Sequence, residues 1–363
     1  MMAVLFTIIV LLLFVYFFMN GYPDFGRRPS KQKRGSFQGS LQFKQGHFVN
    51  ETPTVMDTSL STTLSIAKDF IKGNPKGRPG QPLKMVKLKV QDDLEKNTRI
   101  TWFGHSALML EMDGKRMLLD PMFGQAPSPF PMFGGKRYSK TLPFTIEDLP
   151  FIDAVFFSHD HYDHLDYRSI KKLKEKAGRF FVPLGVGSHL ESWGVESGRI
   201  SEHDWWDEME WEGLHLVCTP ARHFSGRSLT DRNTTLWCSW VIKGKQSKIF
   251  FSGDSGYGPH FKNIGDRYGP FDAAMMECGQ YDDRWSEIHM MPEETVQAFI
   301  DVRGDLLIPI HWSAFTLALH DWTDPIERVT KEARKRNVPV AAPQIGEAVI
   351  IGTENYPQRV WWK

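Results

Sequence analysis

The chain has 363 residues, 41% hydrophobic and 13% aromatic, which is enough apolar side chain to bury a large core and excludes disorder throughout. Forty-four basic side chains against 43 acidic ones leave a formal charge of +1, a balance with no field to draw in a polyanion, so nucleic acid is disfavoured as a partner. Cys218, Cys238 and Cys278 are widely spaced and include no CxxC pair, so they read as reduced core residues rather than as disulfides or thiolate metal ligands.

The chain opens on an uncharged run. Residues 3–19 (AVLFTIIVLLLFVYFFM) are interrupted only by Thr7 and Tyr16, and with Met1 and Met2 they reach the ~20 apolar residues a helix needs to cross a bilayer. A basic leader and a small-residue cleavage site are both missing, which favours an uncleaved transmembrane anchor over residues 1–20 rather than a signal peptide. Arg27, Arg28, Lys31, Lys33 and Arg34 follow, against only Asp24. The positive-inside bias then makes this a single-pass protein of the cell membrane with its remainder in the cytoplasm.

Residues 21–82 read as a tether. Gly, Ser, Gln and basic residues dominate as far as about Asn50, without periodic apolar positions, in keeping with a spacer or a segment near anionic head groups. Leu60, Leu64, Ala67 and Ile71 then fall at helical steps beside Lys68 and Lys72, an amphipathic helix whose stripe packs on a core or touches lipid. Residues 74–82 (NPKGRPGQP) cannot continue it and form a linker.

Residues 83–363 read as one layered α/β domain. Strands are expected at 99–103, 107–112 and 116–119, the last two joined through Asp113-Gly114. A buried strand follows at 154–158, then a helix at 167–175 and strands at 214–219, 235–242 and 249–252. A helix opened by Pro292, a strand at 306–310 and a helix opened by Asp324-Pro325 complete the pattern.

The segment His159-Asp160-His161-Tyr162-Asp163-His164 directly follows the apolar strand at 154–158. In an extended loop His159 and His161 point the same way because side chains alternate, whereas Asp163 and His164 at the next turn can face a neighbouring centre. Imidazole nitrogens suit zinc at ~2.0–2.1 Å, and zinc tolerates carboxylates in the same shell. His223, Asp254 and His311 each stand just beyond another expected strand.

This arrangement resembles the HxHxDH signature of the metallo-β-lactamase superfamily, with the remaining ligands in the expected order. The resemblance implies a four-layer αβ/βα fold carrying two zinc ions. It also implies that His159, His161 and His223 hold one ion, that Asp163, His164 and His311 hold the other, and that Asp254 bridges them. A water ionised by such metals near pH ~7 is then the nucleophile, and no protein nucleophile is needed. A redox di-iron centre usually has a carboxylate where His161 stands, so histidine there favours zinc.

Beyond the signature, the chain from about Arg99 to Ile351 looks like the N-acyl-phosphatidylethanolamine phospholipase D branch of that superfamily. The stretches that carry the likeness include Gly104-His105-Ser106-Ala107, Leu119-Asp120-Pro121, His161-Tyr162-Asp163-His164-Leu165-Asp166-Tyr167, Tyr268-Gly269-Pro270-Phe271-Asp272 and Ile310-His311-Trp312. That branch implies a membrane phospholipid substrate, hydrolysed to phosphatidic acid and an N-acylethanolamine. Where those enzymes have Gln-His, this chain has Ile288-His289, in a segment about two residues shorter.

Asp163 and Asp254 join catalysis as ligands on this reading. His289 protonates the leaving alkoxide or orients the phosphate, with ordinary loop packing as the alternative. Tyr162 positions a substrate oxygen or serves as a structural phenol. Asp120 and His105 orient ligands from behind. A homodimer is compatible with all of this. The competing functions are a lactonase or other small-ester hydrolase using the same site, and a non-catalytic membrane-bound scaffold.

Overall fold

From residue 99 onward, short runs of β-branched and aromatic residues punctuated by turns assemble into two facing sheets in the computed structural model, which describes residues 2–57, 59–90, 93–94, 97–132 and 135–363. Strands β3 (Arg99–Trp102), β4 (Leu108–Met112), β5 (Lys115–Leu119), β6 (Ile152–Phe156), β7 (Ala177–Pro183), β8 (Ile200–His203) and β15 (Ala348–Ile350) form one sheet, in the order β15-β3-β4-β5-β6-β7-β8. The second contains β9 (Glu208–Trp211), β10 (Leu214–Thr219), β11 (Ser239–Lys243), β12 (Lys248–Phe251), β13 (Ala273–Glu277) and β14 (Leu307–Ile310), in the order β14-β13-β12-β11-β10-β9. Each sheet is antiparallel at one side and parallel at the other. The expected Asp113-Gly114 turn joins β4 to β5 with both residues in the left-handed region, at φ 48° and 77°.

Alternation along the strands sorts side chains into two cores. Phe156 and Phe181 face Leu216, Trp240 and Phe251 between the sheets, while Val155, Phe157, Phe180 and Val182 face outward. That outer face is covered by α4 (Tyr167–Leu173) and α5 (Gly187–Ser192) through Ile170, Leu173 and Leu190. Helices α6 (His260–Tyr268), α7 (Pro292–Asp301) and α8 (Asp324–Lys335) cover the second sheet through Phe261, Ile264, Val296, Phe299, Ile326 and Val329. The result is four layers, helix on sheet and sheet on helix. Each fully buried large apolar side chain contributes roughly 1.5–3 kcal/mol. Trp240 also ties the sheets together, stacking edge-on against Phe156 at 5.3 Å and donating its indole N–H to the Phe157 carbonyl at 2.9 Å.

The N-terminal expectations need correction. Residues 23–50 are laid against the domain and do not form a free tether. They include α2 (Lys31–Ser36) and a small hairpin of β1 (Phe43–Lys44) and β2 (His47–Phe48). Phe37, Phe43 and Phe48 are buried in the main core with ring centroids 5.0–5.6 Å apart, and the Phe48 amide donates to the Asn233 carbonyl. The amphipathic helix is present as α3 (Leu60–Lys72), capped by Ser59, but it buries no residue. Leu60, Leu64 and Ile71 remain exposed, and the helix is pinned through the Asp69–Arg284 ion pair. The linker at 74–82 is fixed at Gly77, whose carbonyl accepts from Tyr138 and Thr316.

The apolar run at the start folds into α1 (Met2–Gly21), docked on the domain through its last turn. Phe18 and Tyr22 stack on Phe130, and the Tyr22 hydroxyl donates to the Pro129 carbonyl. Several α1 side chains fall outside the described residues. Among the described residues no helix is long and apolar enough to cross a membrane, so the expected transmembrane anchor is not supported.

Candidate metal centre

The site is built from strand ends. β6 ends at Phe156, and the chain then turns through His159 to His164, whose amide and that of Leu165 both bond back to the His161 carbonyl at 3.1 and 2.8 Å. This turn parts the cluster into the two groups expected of it. His159, His161 and His223 converge in one, while Asp163, His164 and His311, joined by His105, converge in the other. His223 follows β10, Asp254 follows β12 and His311 follows β14, so the second sheet supplies these three side chains opposite the β6 loop.

Hydrogen bonds fix the tautomers. Nδ1 of His223 lies 2.9 Å from the Ile288 carbonyl, a partner that only accepts, so Nδ1 carries the proton and Nε2 keeps a bare lone pair. Ser158 Oγ donates to Asp120 and receives Nδ1–H of His159 at 2.9 Å, leaving Nε2 of His159 bare as well. These two nitrogens lie 3.2 and 2.9 Å from Nδ1 of His161. Tetrahedral zinc would separate its nitrogen ligands by about 3.3 Å, close to the spacing seen. In the second group, His164 gives Nδ1–H to Asp120 at 2.7 Å, and His311 directs Nδ1 at the Gly279 carbonyl at 3.3 Å. Their Nε2 atoms lie 3.0 and 3.1 Å from Oδ2 of Asp254, which is also 3.8 and 3.9 Å from Nε2 of His159 and His223. Asp254 thus stands between the groups. Nε2 of His164 and Oδ1 of Asp254 are buried without a hydrogen bond, as unused donor atoms for cations would be.

The electrostatics agree with this donor set. Burial alone would raise the pKa of Asp163 and Asp254, but His164 and the other surrounding imidazoles outweigh it and hold both carboxyls well below the usual range. Burial likewise opposes charge on His164 and His311, yet Asp254 and the neighbouring carboxylates push both well above normal. His159 and His223 are pushed well below it, first by burial and then by nearby imidazoles. The site is therefore two buried carboxylates among imidazoles, an arrangement that divalent cations would neutralise.

Behind the cluster, Asp120 accepts from Ser158 N, Ser158 Oγ and His164 Nδ1, and His105 donates Nε2–H to Asp163 at 2.9 Å. Burial, with His311 adding, lowers the His105 pKa to about 3 and keeps that ring neutral. His105, Asp120 and His311 all adopt left-handed backbone, at φ 55°, 41° and 66°, strain of the kind that collects at functional sites.

Tyr162 differs from its substrate-binding expectation. Its hydroxyl donates to the Arg227 carbonyl at 2.6 Å and its ring lies under the Arg227 guanidinium at 4.0 Å, so the phenol is engaged by Arg227. His289 does reach the site, with its ring centroid 5.0 Å from those of His223 and His311. Its partner was missed. Glu277, the last residue of β13, is fully buried and lies 3.1 Å from Nδ1 of His289. The only signal in the sequence is a lone carboxylate inside the apolar run Ala273-Ala274-Met275-Met276.

Known proteins resemble this chain in sequence and fold. A family model described as a beta-lactamase superfamily domain matches residues 115–312. An uncharacterized protein of Mycobacterium tuberculosis is 40% identical over 337 residues, covering 91% of this chain and 89% of that protein. N-acyl-phosphatidylethanolamine-hydrolyzing phospholipase D 1 of Caenorhabditis elegans is 32% identical over 234 residues, covering 61% of this chain and 65% of the nematode protein. Among solved structures, a metallo hydrolase of the archaeon Ignicoccus hospitalis superposes with a TM-score of 0.55 at 21% identity, covering 71% of this chain and 100% of the archaeal one.

Proposed function

Because the chain belongs to the metallo-β-lactamase superfamily of metal-dependent hydrolases, we propose that it is a two-zinc phosphodiesterase of phospholipase D type. Its substrate is an N-acyl-phosphatidylethanolamine, cleaved to phosphatidic acid and an N-acylethanolamine. The observation that carries this reading is Asp254 standing between the two ligand groups, with donor atoms of both turned toward it. The phospholipase relative supports the choice of ester.

His159, His161 and His223 would hold one ion, Asp163, His164 and His311 the other, and Asp254 both. Bound there, the ions would lower the pKa of water toward neutrality and offset charge on the phosphoryl oxygens. The chain's own residues do the rest. Asp120 and His105 keep His164 and Asp163 aimed at the site, and the Ile288 carbonyl keeps Nε2 of His223 aprotic. His289, beside both groups, moves a proton to the departing alkoxide.

A membrane surface is the proposed setting. Val4, Leu5, Phe6 and Phe17 of α1 are exposed, an apolar surface that lipid would cover, and the end of α1 stacks on Phe130 of the domain that acts on that lipid. The test is metal analysis of the detergent-solubilised chain, together with mass spectrometry of its products from N-acyl-phosphatidylethanolamine and from a panel of lactones and carboxylic esters. Phosphatidic acid and N-acylethanolamine are expected. Turnover of lactones alone would make the chain a lactonase, and inactivity of zinc-loaded protein on the whole panel would make it a scaffold.

A further inference from the structure

Glu277 is a buried carboxylate outside the seven expected ligands, and every partner it has is a donor. One oxygen accepts from the backbone amides of Met290 at 2.8 Å and Ser255 at 3.4 Å, and the other faces Nδ1 of His289 at 3.1 Å and Nδ1 of His311 at 3.4 Å. No Lys or Arg side chain shares it among these contacts. Met290 follows His289 and Ser255 follows Asp254, so one carboxylate grips the loops that carry two site residues and two imidazoles directly.

The chemistry of those contacts is directional. A carboxylate only accepts, so each imidazole turned toward Glu277 presents Nδ1–H to it and Nε2 to the other side. For His311, that other side is Asp163 and Asp254, at 3.4 and 3.1 Å from Nε2. His289 also lies beside His223 and Asp254, one of its ring nitrogens being within 4.8 Å of a donor atom of each.

Building on the phosphodiesterase reading, we propose that Glu277 is a positioning residue that fixes the tautomer and aim of His289, so that its Nε2 meets the leaving oxygen of the ester. Water adds to phosphorus and gives up one proton. The bond from phosphorus to the leaving oxygen breaks with its electron pair on that oxygen, which takes up a proton from Nε2 of His289, and the proton released by the water replaces it on Nε2, so that diester plus water gives monoester plus alcohol. Glu277→Gln keeps the shape but turns an amide N–H2 toward groups that are all donors, so the His289 tautomer is no longer fixed. Glu277→Asp keeps an acceptor at shorter reach.

The experiment compares the full-length, zinc-loaded wild type with E277Q, E277D, H289A and E277Q/H289A, on a diester with an alkyl leaving group and on one with a p-nitrophenyl leaving group. Selective 15N-histidine NMR reads the His289 tautomer, assigned by the signal lost in H289A. Kcat on the alkyl diester should fall roughly 10- to 100-fold in E277Q and in H289A, with KM little changed, because supporting partners and general acids act on that scale. The nitrophenyl diester, whose leaving group needs no proton, should be nearly unaffected. The double variant should be no worse than H289A, E277D should recover part of the loss, and the NMR should show Nδ1–H of His289 in the wild type but not in E277Q.

Equal losses on both diesters, a multiplied loss in the double variant, or an unchanged tautomer in E277Q would overturn the assignment. If the wild type cleaves neither diester, the phosphodiesterase reading fails by itself. The Glu277 inference is then decided by the tautomer measurement and by the same comparison on alkyl and aryl esters that the wild type does cleave.

Discussion

Asp254→Asn keeps the shape of the side chain and removes its charge, and the geometry sets what that costs a bound cation. Oδ2 of Asp254 lies 3.0 to 3.9 Å from Nε2 of His164, His311, His159 and His223, so this one oxygen reaches histidines of both groups. Two unit charges 4 Å apart interact by about 4 kcal/mol at an effective dielectric of about 20, and a dication in direct contact with the carboxylate feels at least that. That energy corresponds to about 10³-fold in a binding constant. Titration against a chromophoric chelator should therefore show zinc binding weakened at least about 10³-fold in Asp254→Asn. Activity should be lost in parallel at limiting zinc, with the circular dichroism spectrum unchanged. A folded variant that holds both ions within about tenfold of the wild-type affinity would refute the bridging argument.

Asp120→Ala removes the acceptor for Nδ1 of His164 and for both Ser158 donors, and chelator titration should show zinc binding weakened roughly 10- to 100-fold. Tyr162→Phe gives up the bond to the Arg227 carbonyl, so denaturant unfolding should show a loss of about 1 kcal/mol while kcat and KM stay near wild type; a raised KM would restore a substrate role to the phenol. Phe48→Ala empties a fully buried position and should cost about 3–5 kcal/mol in the same unfolding assay, whereas a free tether would lose nothing.

What could be read from the sequence was whatever repeats locally. The cluster after β6 was legible because His159 and His161 obey the period of two and stand directly after an apolar strand, and the same strand-end logic pointed to His223, Asp254 and His311, which the fold brings beside them. Residues 23–50 were misread because Phe37, Phe43 and Phe48 fall at spacings of neither two nor 3.6, so their burial depends on a domain built much later in the chain. α3 was legible as a helix, but Leu60, Leu64 and Ile71 of its stripe stay exposed, which periodicity alone cannot tell. Glu277 was invisible for a related reason. Its partners Ser255, His289 and His311 come from three other loops, and a lone acid in an apolar strand has no pattern until the sheets are assembled. Tyr162 shows the reverse error, since position between two ligands is not direction toward them.

The central claim is that seven side chains gather two cations around Asp254. Anomalous diffraction from crystals of the zinc-loaded protein, collected on either side of the zinc edge, tests it directly. Two peaks are expected, one among His159, His161 and His223 and one among Asp163, His164 and His311, with Asp254 touching both. A single peak, or peaks away from these residues, would contradict it.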